Sequence, residues 1–332
     1  MKNLHLHLDL PPRRYPINKA DVYGPQYGAF DVSQEYIGLS SRARRAWGTW
    51  QHGWAHELEN IDPEWIIGTN GCQLDKFSSH HMLWVFRKDQ EEFLNKHGVQ
   101  NVRAIGAPIL YANILAERIS KSLLIMPPHG TMDTSFPLRK ECYLDWVEKL
   151  LGDFEFVAAC IGYDDYKRGD WVKDFRRLGI PCIEGACVSD YNSLRRMAYI
   201  FQKFDYMTTP DKGSHIAYAS YFGCKVSVTG PRLISERVLR TSLPAGEFYR
   251  NYPKGVDIAS ELSSQGNMQK MLGHFMIEPL DSVAMVDWGK KQLGEDCKLS
   301  PKELKKELGW SSKQLIMNYA RFNCSRIVNK IL

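Results

Sequence analysis

The chain has 332 residues, 44% apolar, 24% charged and 12% aromatic, with no low-complexity tract; this excludes a disordered or fibrous protein and favours two domains over one. Its net charge of +5 comes from Lys and Arg interleaved with Asp and Glu, so no basic stripe argues for nucleic acid. The eight cysteines (72, 142, 160, 182, 187, 224, 297 and 324) are scattered without a CxxC pair, which suits reduced, buried thiols rather than a disulfide framework.

The N-terminal MKNLHLHLDLPPRR lacks a signal-peptide apolar core, and no run approaches the length of a membrane span. The expected location is the cytoplasm, at most peripheral to the inner membrane. AWGTWQH (46–52) then reads as a strand feeding a loop. EWIIGTN and HHMLWVF read as buried strands, and KDQEEFLNKHG as a short helix closed by Gly98. VRAIGAP is a strand ended by Pro108, and YANILAERIS a helix leading to a boundary near residue 120.

SLLIMPP opens the second half as a strand, followed by the loop HGTMDTSF. RKECYLDWVEKLLG, KDFRRLG, DYNSLRRMAYIFQKF and GSHIAYASYFG read as helices; FEFVAACIG, IPCIEGA, DYMTTP and CKVSVTGP read as the strands between them. Strand–helix alternation over this length predicts parallel sheets covered by helices, one in each half. Residues 232–280 carry loop signals and a helix around NMQKMLGHF, and SPKELKKELGW predicts a helix with Ser300 as N-cap and Pro301 in its first turn. Segment 301–332 has seven Lys/Arg against two Glu, a solvated basic helix or a membrane-docking one.

In such sheets chemistry lies at the carboxyl ends of the strands. His52 ends the first strand, where a neutral imidazole could deprotonate an acceptor hydroxyl, with Glu57 as orienter. His52 and His56 could instead be metal ligands or core residues, but HxxxH without a third ligand is a poor zinc motif. Asp164 and Asp165 in GYDDYKRGDW read as a solvated turn. The turn TTPDKGSH (208–215) is either a capped helix start or a phosphate seat built on unpaired backbone N–H groups. His129 and Thr131, in the loop after SLLIMPP, lie on the same sheet edge. The fingerprints GxGxxG and Walker A are absent.

The order TWQHGW, VRAIGAPILYAN, LLIMPPHGT and FDYMTTPDKGSHIAYASYFGCKVSV resembles GT-B-fold transferases of bacterial cell-surface polysaccharide synthesis. It resembles in particular the CDP-glycerol glycerophosphotransferase-like group and bacterial transferases using CMP-activated sugars such as Kdo. The resemblance spans roughly residues 45–230 and its motifs are short; His129-Gly130-Thr131 stands where the group has T-W-R, and Gln51 replaces the usual Trp. It implies His52 as base beside Gly53, with Gly106 and Pro108 closing the first half. His129, Thr131, Gly213, Ser214 and His215 would hold the donor phosphate, and Glu184, Gly185 and Ala186 the nucleobase.

The expectation is an α/β protein with two Rossmann-like domains facing across a cleft: 1–118 on the acceptor side, 119–280 binding the donor, and helices of 281–332 returning to the first domain. Its activity would be metal-independent glycosyl (or sugar-phosphate) transfer from a nucleotide-activated donor, CMP- or CDP-linked, to a glycan or lipid-linked acceptor in capsule or lipopolysaccharide synthesis. It would need no cofactor. The alternatives are a nucleotide-sugar epimerase or hydrolase on the same fold, or a non-catalytic nucleotide-sugar-binding module.

Overall fold

A computed structural model describes residues 9–15, 26–39, 46–56, 82–129, 140–231 and 264–311, with isolated positions at 62, 63, 66, 258, 261 and 262. Glu57, Thr131, the strand reading of EWIIGTN (64–70) apart from Ile66, and the basic segment beyond 311 lie outside these residues.

Two parallel sheets form the frame. The first has the order β1 (Gly48–Trp50), β2 (Met82–Val85), β3 (Val102–Ala104). Along β2 the side chains alternate: Leu83 and Val85 pack with Leu94 of α2 (Lys88–Lys96), while Trp84 joins Trp50 and Phe30 of α1 (Ala29–Tyr36) on the other face.

The second sheet contains β4 (Ile119–Ile125), β5 (Phe156–Ile161), β6 (Cys182–Glu184), β7 (Phe204–Thr209) and β8 (Lys225–Val228), ordered β6-β5-β4-β7-β8. The chain therefore builds outward from β4 to β6, then returns along α6 (Ser193–Lys203) to the opposite side of β4. The reversal between β4 and β7 is a topological switch point, where the connections leaving two neighbouring strands diverge and open a crevice. Both faces are covered, as a parallel sheet requires. Leu123 and Ile125 pack against Tyr143 and Val147 of α3 (Lys140–Leu150), whereas Leu124 and Met207 face α6 and α7 (Ser214–Tyr221).

The core containing Phe30, Trp50 and Trp84 also contains Leu124, Met207 and Ile216, so one continuous apolar interior runs between the two sheets. The later helices reinforce it. α9 (Val286–Leu293; α8 spans Gln265–Leu272) lies on α7, with Gly289 so close to Tyr221 that any side chain would overlap its backbone. Its last residues reach the first half: Ala107 N–H donates to Leu293 O at 2.8 Å, and Trp54 Nε1 donates to Gln292 Oε1 at 2.9 Å. α10 (Pro301–Glu307) starts with the expected Ser300 cap, completed by Glu303 as a capping box, and buries Glu307 against Trp84 Nε1 at 3.0 Å and Arg103.

Two expectations fail. YANILAERIS is not a helix: Pro108–Tyr111 forms one 3₁₀ turn, and the chain then runs extended into β4. Tertiary hydrogen bonds replace the helical ones, since Gln202 binds the backbone of Ile114 and Ala116 while Arg118 donates to the carbonyls of Phe204, Phe222 and Gly223. The GYDDYKRGDW stretch is not a solvated turn either. It contains α4 (Tyr163–Arg168), followed by α5 (Val172–Arg177), and Asp165 is only 1% exposed, paired to Arg168. No helix among the described residues is long and apolar enough to cross a membrane.

Candidate functional site

The first half offers the end of β1. Trp50 anchors it, its Nε1 donating to Gly106 O at 3.0 Å, and Gln51 N–H continues the pairing to Trp84 O at 2.7 Å. The chain then turns sharply at Gly53 (φ +73), where a Cβ would stand 2.8 Å from Ser214 Oγ. Positive φ and this close approach both require glycine. His52 is consequently presented outward, over the second sheet.

Its Nδ1 lies 2.9 Å from Gln26 Oε1, and its ring centroid 5.7 Å from that of Tyr27. With the amide oxygen accepting, Nδ1 carries the hydrogen and Nε2 keeps its lone pair. The ring keeps accessible surface yet stands in a concavity surrounded by protein. That desolvation, and then the proximity of His129, lowers the His52 pKa from its ordinary value. At neutral pH the ring is an uncharged base.

The second half supplies the switch point. His129 follows β4 and is exposed, its Cβ so near the loop after β5 that a side chain on Gly162 would meet it at 2.8 Å. Ser214 opens α7, where no side chain caps the first turn, so the start of the helix keeps its donor character. Ser214 Oγ itself accepts from Trp54 N–H at 2.8 Å and joins the two halves. Beneath the His52 turn, Gln26, Gln51, Leu194 and Tyr218 help enclose a cavity of about 30 Å³. That volume suits one or two waters. A nucleotide-sized ligand has to lie on the open side, along the strand ends.

His215 stands apart from the other residues expected to meet a phosphate. Its Nε2 lies 3.1 Å from Thr209 Oγ1, and its ring also bonds the Asp211 backbone, bracing the 209–213 loop from inside. Gly213 is extended (φ 171°), and its role is spatial, because a Cβ would fall 2.6 Å from that ring. Burial, and then His129, push the His215 pKa down to about 3. Between that value and the ordinary 6.5 the unfolded chain binds a proton that the folded one refuses. Stability is thus full above pH ~6.5 and falls as acid is added, by up to ~1.4 kcal/mol per pH unit. In thermal melts from pH 7 to 4.5, His215→Gln should lose less stability per unit than the wild type; parallel slopes would contradict this.

Glu184, Gly185 and Ala186 end β6, apart from the histidines. The carbonyls of Glu184 and Gly185 accept from Arg13 of the N-terminal segment, and the Glu184 carboxylate pairs with the same guanidinium at 3.0 Å. The structure therefore gathers His52, His129, Gly213 and Ser214 at one place, sets His215 behind them and leaves the 184–186 edge to one side.

Gln26, Tyr27, Trp54 and Tyr218 complete the site without having been singled out from the sequence. The glycine spacing in GPQYGAF is the one signal that could have marked a turn there. No group of three His, Cys, Asp or Glu able to hold a metal ion occurs among the described residues.

These features define a parallel α/β protein of the Rossmann-like class with a polar site where its two sheets meet. No family model matches the chain, and neither a curated protein nor a solved structure does.

Proposed function

We propose that the protein is a metal-independent glycosyltransferase of GT-B architecture, moving a sugar or sugar-phosphate-like group from a nucleotide-activated donor to a glycan or lipid-linked acceptor of the bacterial surface. The observation that carries this reading is His52, neutral and oriented by Gln26, turned toward the switch point rather than into the core. In the reaction, Nε2 takes the proton of the acceptor hydroxyl as its oxygen bonds to the donor's anomeric carbon. The bond from that carbon to the phosphate oxygen breaks, and the nucleotide leaves with the electron pair. The start of α7 and His129 face the charge that develops there.

An acid/base carboxylate pair, as epimerases and hydrolases use, finds less support. Glu184 and Asp165 are committed to Arg13 and Arg168. Cytoplasmic work at the inner-membrane face would suit a lipid-linked acceptor.

Thermal-shift titration with CMP, CDP, UDP, GDP and their sugars tests the reading. A ligand at ~100 times its Kd adds about 2.7 kcal/mol to the folded state, a shift of several degrees. No response to any of them counts against a transferase.

A further inference from the structure

The N-terminal segment 9–15 crosses the fold to the carboxyl end of β6. Backbone groups pin it there: Pro11 O accepts from Arg196 at 2.7 Å, Arg14 N–H donates to Asp190 Oδ1 at 2.9 Å, and Tyr191 N–H donates to Arg14 O at 2.7 Å. None of these bonds uses the side chain of Arg13. That side chain instead lays its flat guanidinium against the strand end. Nε stands 3.0 Å from Glu184 Oε2, Nη2 stands 3.3 Å from both Glu184 O and Gly185 O, and Cζ lies 5.5 Å from the centre of the Tyr163 ring. Glu184 Oε1 is buried and accepts no hydrogen bond, with Lys167 Nζ 3.9 Å away.

We infer that this strand end is a nucleobase seat selective for guanine, and that the Arg13 side chain occupies it as an internal stand-in. The inference rests on the transferase reading above and names the base of its donor, guanine in place of the cytosine that the resemblance to CMP- and CDP-using transferases implies. The chemistry is a matter of matching edges. The Nε–H, Cζ and NηH₂ of arginine reproduce the N1–H, C2 and N2–H₂ of guanine, two adjacent donors on one flat edge. What faces that edge is all acceptor: a carboxylate with an oxygen to spare and two carbonyls, of which Glu184 O is shared with Arg196 Nη2 at 3.4 Å. Uracil flanks its single N–H with carbonyl oxygens, while cytosine and adenine place a ring lone pair beside the amino group. Each would turn a lone pair toward an acceptor, which costs affinity. The Tyr163 ring offers a stacking face. β6 lies two strands from β4, roughly 10 Å at ordinary strand spacing, a distance that a ribose and its phosphates can span to reach His129.

Guanine binding requires that the Arg13 side chain swing out, giving up its ion pair to buried Asp190 (Nη1 to Oδ2 3.5 Å), which keeps Arg196 as a partner, and its bond to Tyr15; the backbone anchors of the segment are independent of it. Calorimetric titration of the full chain with GDP, CDP, UDP and ADP tests this, using wild type, Arg13→Ala and Glu184→Gln. GDP should bind at least ~10-fold more tightly than the others, as expected when a buried polar edge is matched. Arg13→Ala should tighten GDP several-fold by removing the competitor, and Glu184→Gln should erase the preference. If Arg13→Ala does not fold, Arg13→Lys keeps a charge for Glu184 but not the flat donor edge, and should tighten GDP in the same sense. Binding of CDP or UDP without guanine preference overturns the base assignment and leaves the transferase reading standing. Weaker binding of every nucleotide by the Arg13 variants makes Arg13 part of the pocket and overturns its role as stand-in. Failure of all nucleotides to bind wild type and variants alike overturns the transferase reading itself.

Discussion

Replacing His52 by alanine is expected to lower glycosyl transfer by about 10²–10⁴-fold, the range associated with a positioned general base. The fold should survive, because the ring is exposed and its bond to Gln26 lies at the surface. A melting temperature close to wild type would confirm that. The pH dependence carries the same signature. Desolvation by the surrounding protein, and then His129, hold the His52 pKa below its ordinary value, so wild-type kcat/KM should stay level as pH falls through ~6.5 and drop only at more acidic values. In His52→Ala that acid limb should vanish along with the bulk of the rate. A folded variant with full activity would remove His52 from the chemistry.

Gly28→Ala should be nearly as damaging, by a different route. Gly28 precedes α1 with φ +81, and a Cβ there would overlap the carbonyl of Tyr191 in the second half. Its neighbour Tyr27 donates its backbone N–H to Val188 O at 2.9 Å, and Gln26, one residue earlier, orients His52. A methyl group at this point has to push the two halves apart or rebuild the turn. We expect a loss of about 2–4 kcal/mol, the combined scale of an incompatible φ and a backbone clash. Transfer should drop too, because Gln26 moves with the turn. Denaturant unfolding and a transfer assay on the same preparation would check both. A variant with wild-type stability would mean that the seam between the halves yields more easily than its geometry indicates.

The second sheet was legible because its strands are short apolar runs punctuated by Gly and Pro, as in FEFVAACIG and CKVSVTGP. The 108–118 stretch misled because ILAER carries helical periodicity, while its partners, Gln202 and the carbonyls bound by Arg118, lie some ninety to one hundred residues away. α4 was missed because a six-residue helix shows almost no apolar face, and the burial of Asp165 depends on Arg168 folding back over it. At the site, strand-end logic located His52 and His129, and helix-start logic located Gly213 and Ser214. His215 has the same local sequence setting, yet its ring turned into the loop because Thr209 and Asp211 offered it bonds there. Arg13 could not be foreseen, since the contact joins residues 171 positions apart.

The shared apolar interior bears on how molecules enter and leave. Phe30, Trp50 and Trp84 on one side and Leu124, Met207 and Ile216 on the other belong to a single packed mass. Parting the two halves like a clamshell would expose that mass to water, at about 25 cal/mol for every Å² uncovered. Traffic through the site therefore falls to its rim. On the proposed reading the Arg13 side chain swings at that rim, and the halves themselves are walls.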